Sequence, residues 1–176
     1  MDLVRGLLDR IVLLVGTLIG GCVPGFITQY RQRVGGRLDQ VTIDIAPFQQ
    51  VANRFHGGDL DKLIEHHLAS PDPSFHAEGE AIQGMVNSLV RLREMMESLA
   101  GSVWSQIGYL ARHYDKSIGS ATWQDYLPSF NLDPASLMVA AAVGITCWLI
   151  FMGIWRGLSW VADLIAASFA TSTRYR

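Results

Sequence analysis

Apolar residues in this chain follow two patterns, unbroken near its ends and spaced by three or four residues between them. From Ile11 to Ile27, and again from Leu137 to Trp155, there is no Asp, Glu, Lys, Arg or His. A helix rises about 1.5 Å per residue, so these runs extend roughly 26 and 29 Å, close to the ~30 Å hydrocarbon core of a bilayer. Both predict transmembrane helices. Between them, Phe26, Tyr30, Val34, Leu38, Val41, Ile45, Phe48, Ala52 and Phe55 form one helical stripe running straight on from the first span. Pro24 should kink the span or mark its exit, Gly35-Gly36 should weaken the following helix and Pro47 should bend it, because Gly and Pro disfavour helix interiors. His56-Gly57-Gly58 should end it, and Asp59 can cap a helix from Leu60 to Ala69 that closes at Ser70-Pro71-Asp72-Pro73.

A longer stripe follows: Ile82, Met85, Leu89, Leu92, Met96, Leu99, Val103, Ile107, Leu110 and Tyr114, a near-heptad seam of coiled-coil type with Arg91, Arg93, Glu94 and Glu97 on its other face. Gly101 and Gly108 are the expected bends and Gly119 the expected stop. Two such stripes joined by a short corner predict an antiparallel helical hairpin. The fold class is therefore an all-α membrane protein, two transmembrane helices flanking an extramembrane hairpin. Its expected parts are a first span over 1–27, the hairpin over 28–119, an interfacial loop or short helix over 120–136, the second span over 137–155, and an amphipathic interfacial helix and tail over 156–176, the helix being either separate or a kinked extension of the span. In that last part Leu158, Val161, Ile165 and Phe169 share a stripe, and the tail from Thr171 is polar. Trp123, Tyr126 and Phe130, beside the second span, suit the headgroup region and alternatively a partner-docking patch.

Charge narrows the partners. Thr28 to Ser136 holds nine Lys or Arg against thirteen Asp or Glu, a net charge of −4 and the wrong sign for tracking phosphates, so nucleic acid is not an expected partner. Arg156, Arg174 and Arg176 follow the second span, whereas the nearest upstream positive charge is Lys116; the positive-inside rule then puts both termini in the cytoplasm and the middle outside it. Asp2, Asp9 and the Val23-Pro24 pair are poor features for a cleaved signal peptide. Ile19-Gly20-Gly21-Cys22 loosely matches a lipoprotein box, an anchor that a second span makes redundant. Cys22 and Cys147 both lie in the spans, where small apolar filler is the ordinary reading. Small residues recur four apart at Gly16 and Gly20, Gly21 and Gly25, Ala140 and Gly144, and Gly153 and Gly157, as close helix packing requires, although glycine is also common in membrane helices. The simplest use of the spacing is packing of one span on the other.

Chemistry is sparse. Glu65-His66-His67 with His76 is the cluster to test for metal, but adjacent helical residues point about 100° apart and no Cys joins them, so no metal or cofactor is expected. Asp59, Asp61, Glu65, Glu78 and Glu80 read as caps and solvated faces. No nucleophile elbow or phosphate-cradling glycine loop occurs, and the charge-free spans offer no ion path. The chain is not expected to be an enzyme. A ligand or metal site at the 59–76 corner and a small transporter component are the alternatives.

Val23-Pro24-Gly25-Phe26, Gln29-Tyr30-Arg31-Gln32-Arg33-Val34-Gly35-Gly36 and Leu38-Asp39 resemble a bacterial family known as domain of unknown function 2937, with Phe48, Asp59-Leu60 and Ile64 fitting its downstream helices. The resemblance implies a bacterial inner-membrane protein and carries no catalytic residues. The resulting expectation is a scaffold or accessory subunit of an envelope membrane complex, in contact with lipid and with a membrane-protein partner or a second copy of itself. Tyr30, Arg31, Arg33, Gly35, Gly36, Trp123, Tyr126 and Phe130 are the candidate interaction residues. Gly35-Gly36 would admit a close helix neighbour or serve as a joint, while Arg31 and Arg33 reach lipid phosphates or a partner's carboxylates.

Overall fold

The computed structural model describes the backbone from Asp2 to Ser172 and the side chains from Arg5 to Val161; the stripe positions Ile165 and Phe169 and the charges of Arg174 and Arg176 lie outside the described side chains. Among the described residues all regular structure is helical: α1 (Asp2–Phe55), α2 (Leu60–Leu68), α3 (Pro73–Ser98), α4 (Val103–Arg112), α5 (Lys116–Gln124) and α6 (Pro134–Ser172). Helices α1 and α6 are long and apolar enough to cross a membrane. The chain forms two compact units, one of residues 1–26 with 127–176, the other of residues 27–126.

In the first unit the small residues bring α1 and α6 into backbone contact. A Cβ on Gly16 would lie 3.0 Å from Cys147 Cβ and 3.1 Å from Gly144 Cα, and one on Gly20 would lie 2.7 Å from Val143 Cβ and 3.1 Å from Ala140 Cα. Gly144 in turn faces Thr17 and the Leu13 carbonyl. The small-residue spacing is thus used internally, as van der Waals packing between apolar helices demands. Gly153 and Gly157 have open space instead. Away from the seam Leu14, Leu18, Ile19, Leu149, Ile150 and Ile154 are exposed. Asp133 caps α6 by accepting from the Ala135 and Ser136 amides at 3.1 Å. Beyond Trp155 helix α6 continues, so of the two forms expected for this stretch it takes that of an extension of the span.

In the second unit most of the first predicted stripe is the core of α1: Tyr30, Val34, Val41, Ile45 and Ala52 are buried, with Ile27 beside them, while Leu38 and Phe48 are half-buried and Phe55 at the helix end is exposed. Neither Pro24, Gly35-Gly36 nor Pro47 interrupts the helix. It ends where expected, at Gly57 and Gly58, whose φ values of 64° and 86° only glycine adopts without strain. Asp59 caps α2 through the Asp61 and Lys62 amides, and Asp72 with Pro73 opens α3. The two helices abut at Gly79, where a Cβ would meet His67 Cβ at 2.9 Å and the Leu68 amide at 3.0 Å.

The second stripe departs further from expectation. It is not one bent helix but three helices. The chain leaves helix at Leu99-Ala100-Gly101, near the first expected bend, and Ser102 caps α4. Gly108 lies inside α4 rather than at a bend, and the next break falls at His113-Tyr114. Gly119 does not stop a helix: it is buried in the middle of α5, under the Tyr114 ring, so the boundary expected at 119 cuts an element in two. Ile82, Leu92 and Leu99 are buried as predicted, but Met95 takes the core place that the seam assigned to Met96. Between Leu92 and Leu99 a three-four step and a four-three step both stay on one helical face, so the spacing alone does not choose between Met95 and Met96.

Candidate functional site

Tyr30, one turn past the first apolar run, is fully buried by the α1 stripe. Its ring stacks on Tyr114 with centroids 6.1 Å apart, and its hydroxyl oxygen accepts from the Asp115 amide at 3.3 Å. Asp115 is the hub. Its carboxylate caps α5 by accepting from the Ser117 and Ile118 amides at 2.8 and 3.1 Å, and it pairs with Arg91 of α3 at 2.7 Å. The Ile118 amide above all, then Arg91 and the Ser117 amide, hold this carboxyl below its ordinary pKa against the opposing effect of burial. From α1, Arg37 donates to the Ser117 hydroxyl at 3.1 Å, and Arg33 pairs at 2.6 Å with Asp125, the residue that ends α5. A polar latch therefore ties both ends of α5 to the stretch of α1 just beyond its apolar run.

The latch joins two candidate patches that the sequence showed apart. Arg33 and Asp125 are 92 residues distant along the chain, yet they pair, and Asp125 lies between Trp123 and Tyr126, whose rings stack with centroids 5.9 Å apart. Trp123 is 69% exposed. Arg33 reaches a carboxylate, as expected, but one in its own unit. Arg31 points to solvent and makes no ion pair among the described residues. At the expected close-packing site, Gly35 has only ordinary van der Waals contact with Met96, and Gly36 has nothing within 4 Å of a Cβ. Among the described residues no neighbour requires glycine at either place. Phe130 belongs to the first unit and lies over Gly21, so it is a packed side chain and only partly a free aromatic.

Sequence reasoning missed Asp115, Ser117, Arg91 and Asp125. The first carried a signal: Asp115 with an amide-donating turn after it is a helix N-cap, the same reading that placed Asp59 correctly. The pairings of Arg33 with Asp125 and of Arg91 with Asp115 had none, because they are set by how the helices pack.

At the 59–76 corner the histidines form a row. Ring centroids are 5.5 Å apart for His56 and His66 and 6.1 Å for His66 and His67. His67 is buried, its Nδ1 donates to the Leu63 carbonyl at 2.9 Å, its Nε2 stands 3.6 Å from Glu78, and its ring stacks on Phe75. This is a packed corner. Among the described residues no three His, Cys, Asp or Glu side chains are placed to share a metal ion.

A second flank of α1 stands opposite its buried stripe. At about 100° per residue, Gly36, Ile43 and Pro47 fall in one row facing away from Tyr30, Val41 and Ile45. All three are exposed, Ile43 by 65%.

The family model described as protein of unknown function (DUF2937) matches residues 4–163, and the chain belongs to that family. Part of the chain is also similar to the human rhomboid-related protein 4, at 39% identity over 70 residues, which is 38% of this chain and 22% of that protein. The chain thus spans about a fifth of the curated relative it matches. No solved structure matches it.

Proposed function

We propose that this chain is a two-pass protein of a bacterial inner membrane, with both termini cytoplasmic, whose periplasmic helical hairpin acts as a scaffold or accessory subunit of a membrane complex. The reading makes it a binding protein and not an enzyme. The observation that carries it is the exposed row Gly36, Ile43 and Pro47 on the outer flank of α1. A helix that already buries one stripe in its own unit has no internal use for a second, and a glycine with open space about two turns before an exposed isoleucine on the same face suits a helix of another protein. Supporting it, Arg33, Arg37, Arg91, Asp115 and Asp125, beyond the apolar run, are engaged in the latch, which suits a shape-holding role. The cytoplasmic termini rest on the positive charges after the second run, and the bacterial inner membrane on what the family resemblance implies.

The test is purification of the full chain in mild detergent from its native membrane. A protein partner in fixed ratio is expected, lost on Ile43→Asp and retained on Glu94→Gln, which changes an exposed charge elsewhere. A second copy of the chain as the sole partner would make it a homo-oligomeric scaffold. Absence of any partner from both preparations would contradict the reading.

A further inference from the structure

Around the circumference of α1, just past its apolar run, the groups that meet solvent are of the kind that meet phospholipid headgroups, and they lie on different sides. Arg31 is four residues, about 6 Å, beyond Ile27, and Arg33 two residues further. Two residues turn a helix by about 200°, so these guanidinium groups leave on nearly opposite flanks. On one flank Arg33 is neutralised by Asp125, which lies between the exposed Trp123 and its stacked neighbour Tyr126. On the other flank Arg31 carries a charge with no ion-pair partner among the described residues.

From this we infer that the unit carries a headgroup collar: Arg31 binds the phosphate of an anionic phospholipid, and Trp123 with Tyr126 sits among the headgroups on the other side. A discrete ligand or a single partner helix would touch one flank. A bilayer surface surrounds the helix and reaches both, and it is the ligand for which a lone Arg and an amphipathic aromatic pair at one depth are complementary. The latch explains the economy of charge: with Arg33 tied to Asp125 and Arg37, six residues further out, held to the Ser117 hydroxyl, Arg31 is the cation left nearest the apolar run to choose the lipid. This rests on the membrane placement proposed above and adds the lipid class to it.

The experiment uses the isolated full chain reconstituted in phosphatidylcholine mixed with phosphatidylglycerol, then released into the gas phase so that retained lipids can be counted by native mass spectrometry. Phosphatidylglycerol is expected to be retained in preference to phosphatidylcholine. Arg31→Gln should lower that preference about five-fold, the effect of one basic residue near an anionic surface. Arg31→Lys should restore most of it, and Arg54→Gln, an exposed charge far along α1, should leave it unchanged. Trp123→Ala should reduce retention of both lipids alike, whereas Trp104→Ala, exposed on α4, should not. Indifference of the preference to Arg31→Gln would overturn the collar, and so would displacement of lipid by added inorganic phosphate, which would mark a free-anion site. A chain found free of membranes without detergent would instead overturn the membrane reading beneath it.

Discussion

Asp115 joins three elements through one carboxylate and one amide. It caps α5, pairs with Arg91 of α3, and offers its N–H to the Tyr30 hydroxyl of α1. Asp125, by contrast, pairs with Arg33 at a site where the two side chains are 73% and 32% exposed. Removing a cap costs roughly 0.5–2 kcal/mol and an exposed ion pair roughly 0–1 kcal/mol. Asp115→Ala should therefore lower thermal stability in detergent by about 1–2 kcal/mol, and Asp125→Ala by less than about half of that; equal effects would mean that the hub is not one. The pH dependence follows from the direction of the shift. A carboxyl whose folded pKa lies below its unfolded value of about 3.9 contributes stability above that pH and loses it as pH falls through the folded value. Asp115→Asn keeps a capping oxygen but cannot titrate, so the loss of stability on acidification below about pH 4 should be shallower in this variant than in the wild type when unfolding is followed by circular dichroism.

Between helices, contact is made by what is missing as much as by what is present. Gly16, Gly20 and Gly144 let α1 and α6 approach until backbone meets backbone, whereas Gly153 lies on α6 with nothing near it. Gly144→Leu should destabilise the first unit by about 1–3 kcal/mol through overpacking, and Gly153→Leu should leave detergent stability unchanged. This packing was half legible: spacing by four flagged Gly16, Gly20, Ala140 and Gly144, but it flagged Gly153 and Gly157 equally, because glycine is common in membrane helices whether or not it packs. The α1 stripe and the ends of α1 and α2 were legible for a similar reason, each following from local rules of period, glycine and cap. The break at Leu99-Ala100-Gly101 was legible as a bend at Gly101 but not as a new helix start, and the break after Arg112 was hidden, because the three-four spacing runs on through both and periodicity alone sees one helix where Ser102 and Asp115 cap two more. The latch was not legible at all: nothing in the neighbourhood of Arg33 marks Asp125 as its partner, and only the packing of α5 beside α1 brings them together.

For the whole molecule, membrane topology and the outer flank of α1 decide the account. A reporter active only outside the cytoplasm belongs in the exposed turn between Gly57 and Gly58, since Gly119 is buried. It should be active there and inactive when fused after Arg176; the reverse would place the helical unit in the cytoplasm. The most direct test of the scaffold itself is photo-crosslinking in native membranes with a photoreactive residue replacing Ile43, compared with one replacing Ile45, which is 65% against 6% exposed on the same helix. A discrete adduct to another polypeptide is predicted from position 43 and none from position 45. No adduct from position 43, or the same adducts from both, would contradict the claim that this flank of α1 is where the protein does its work.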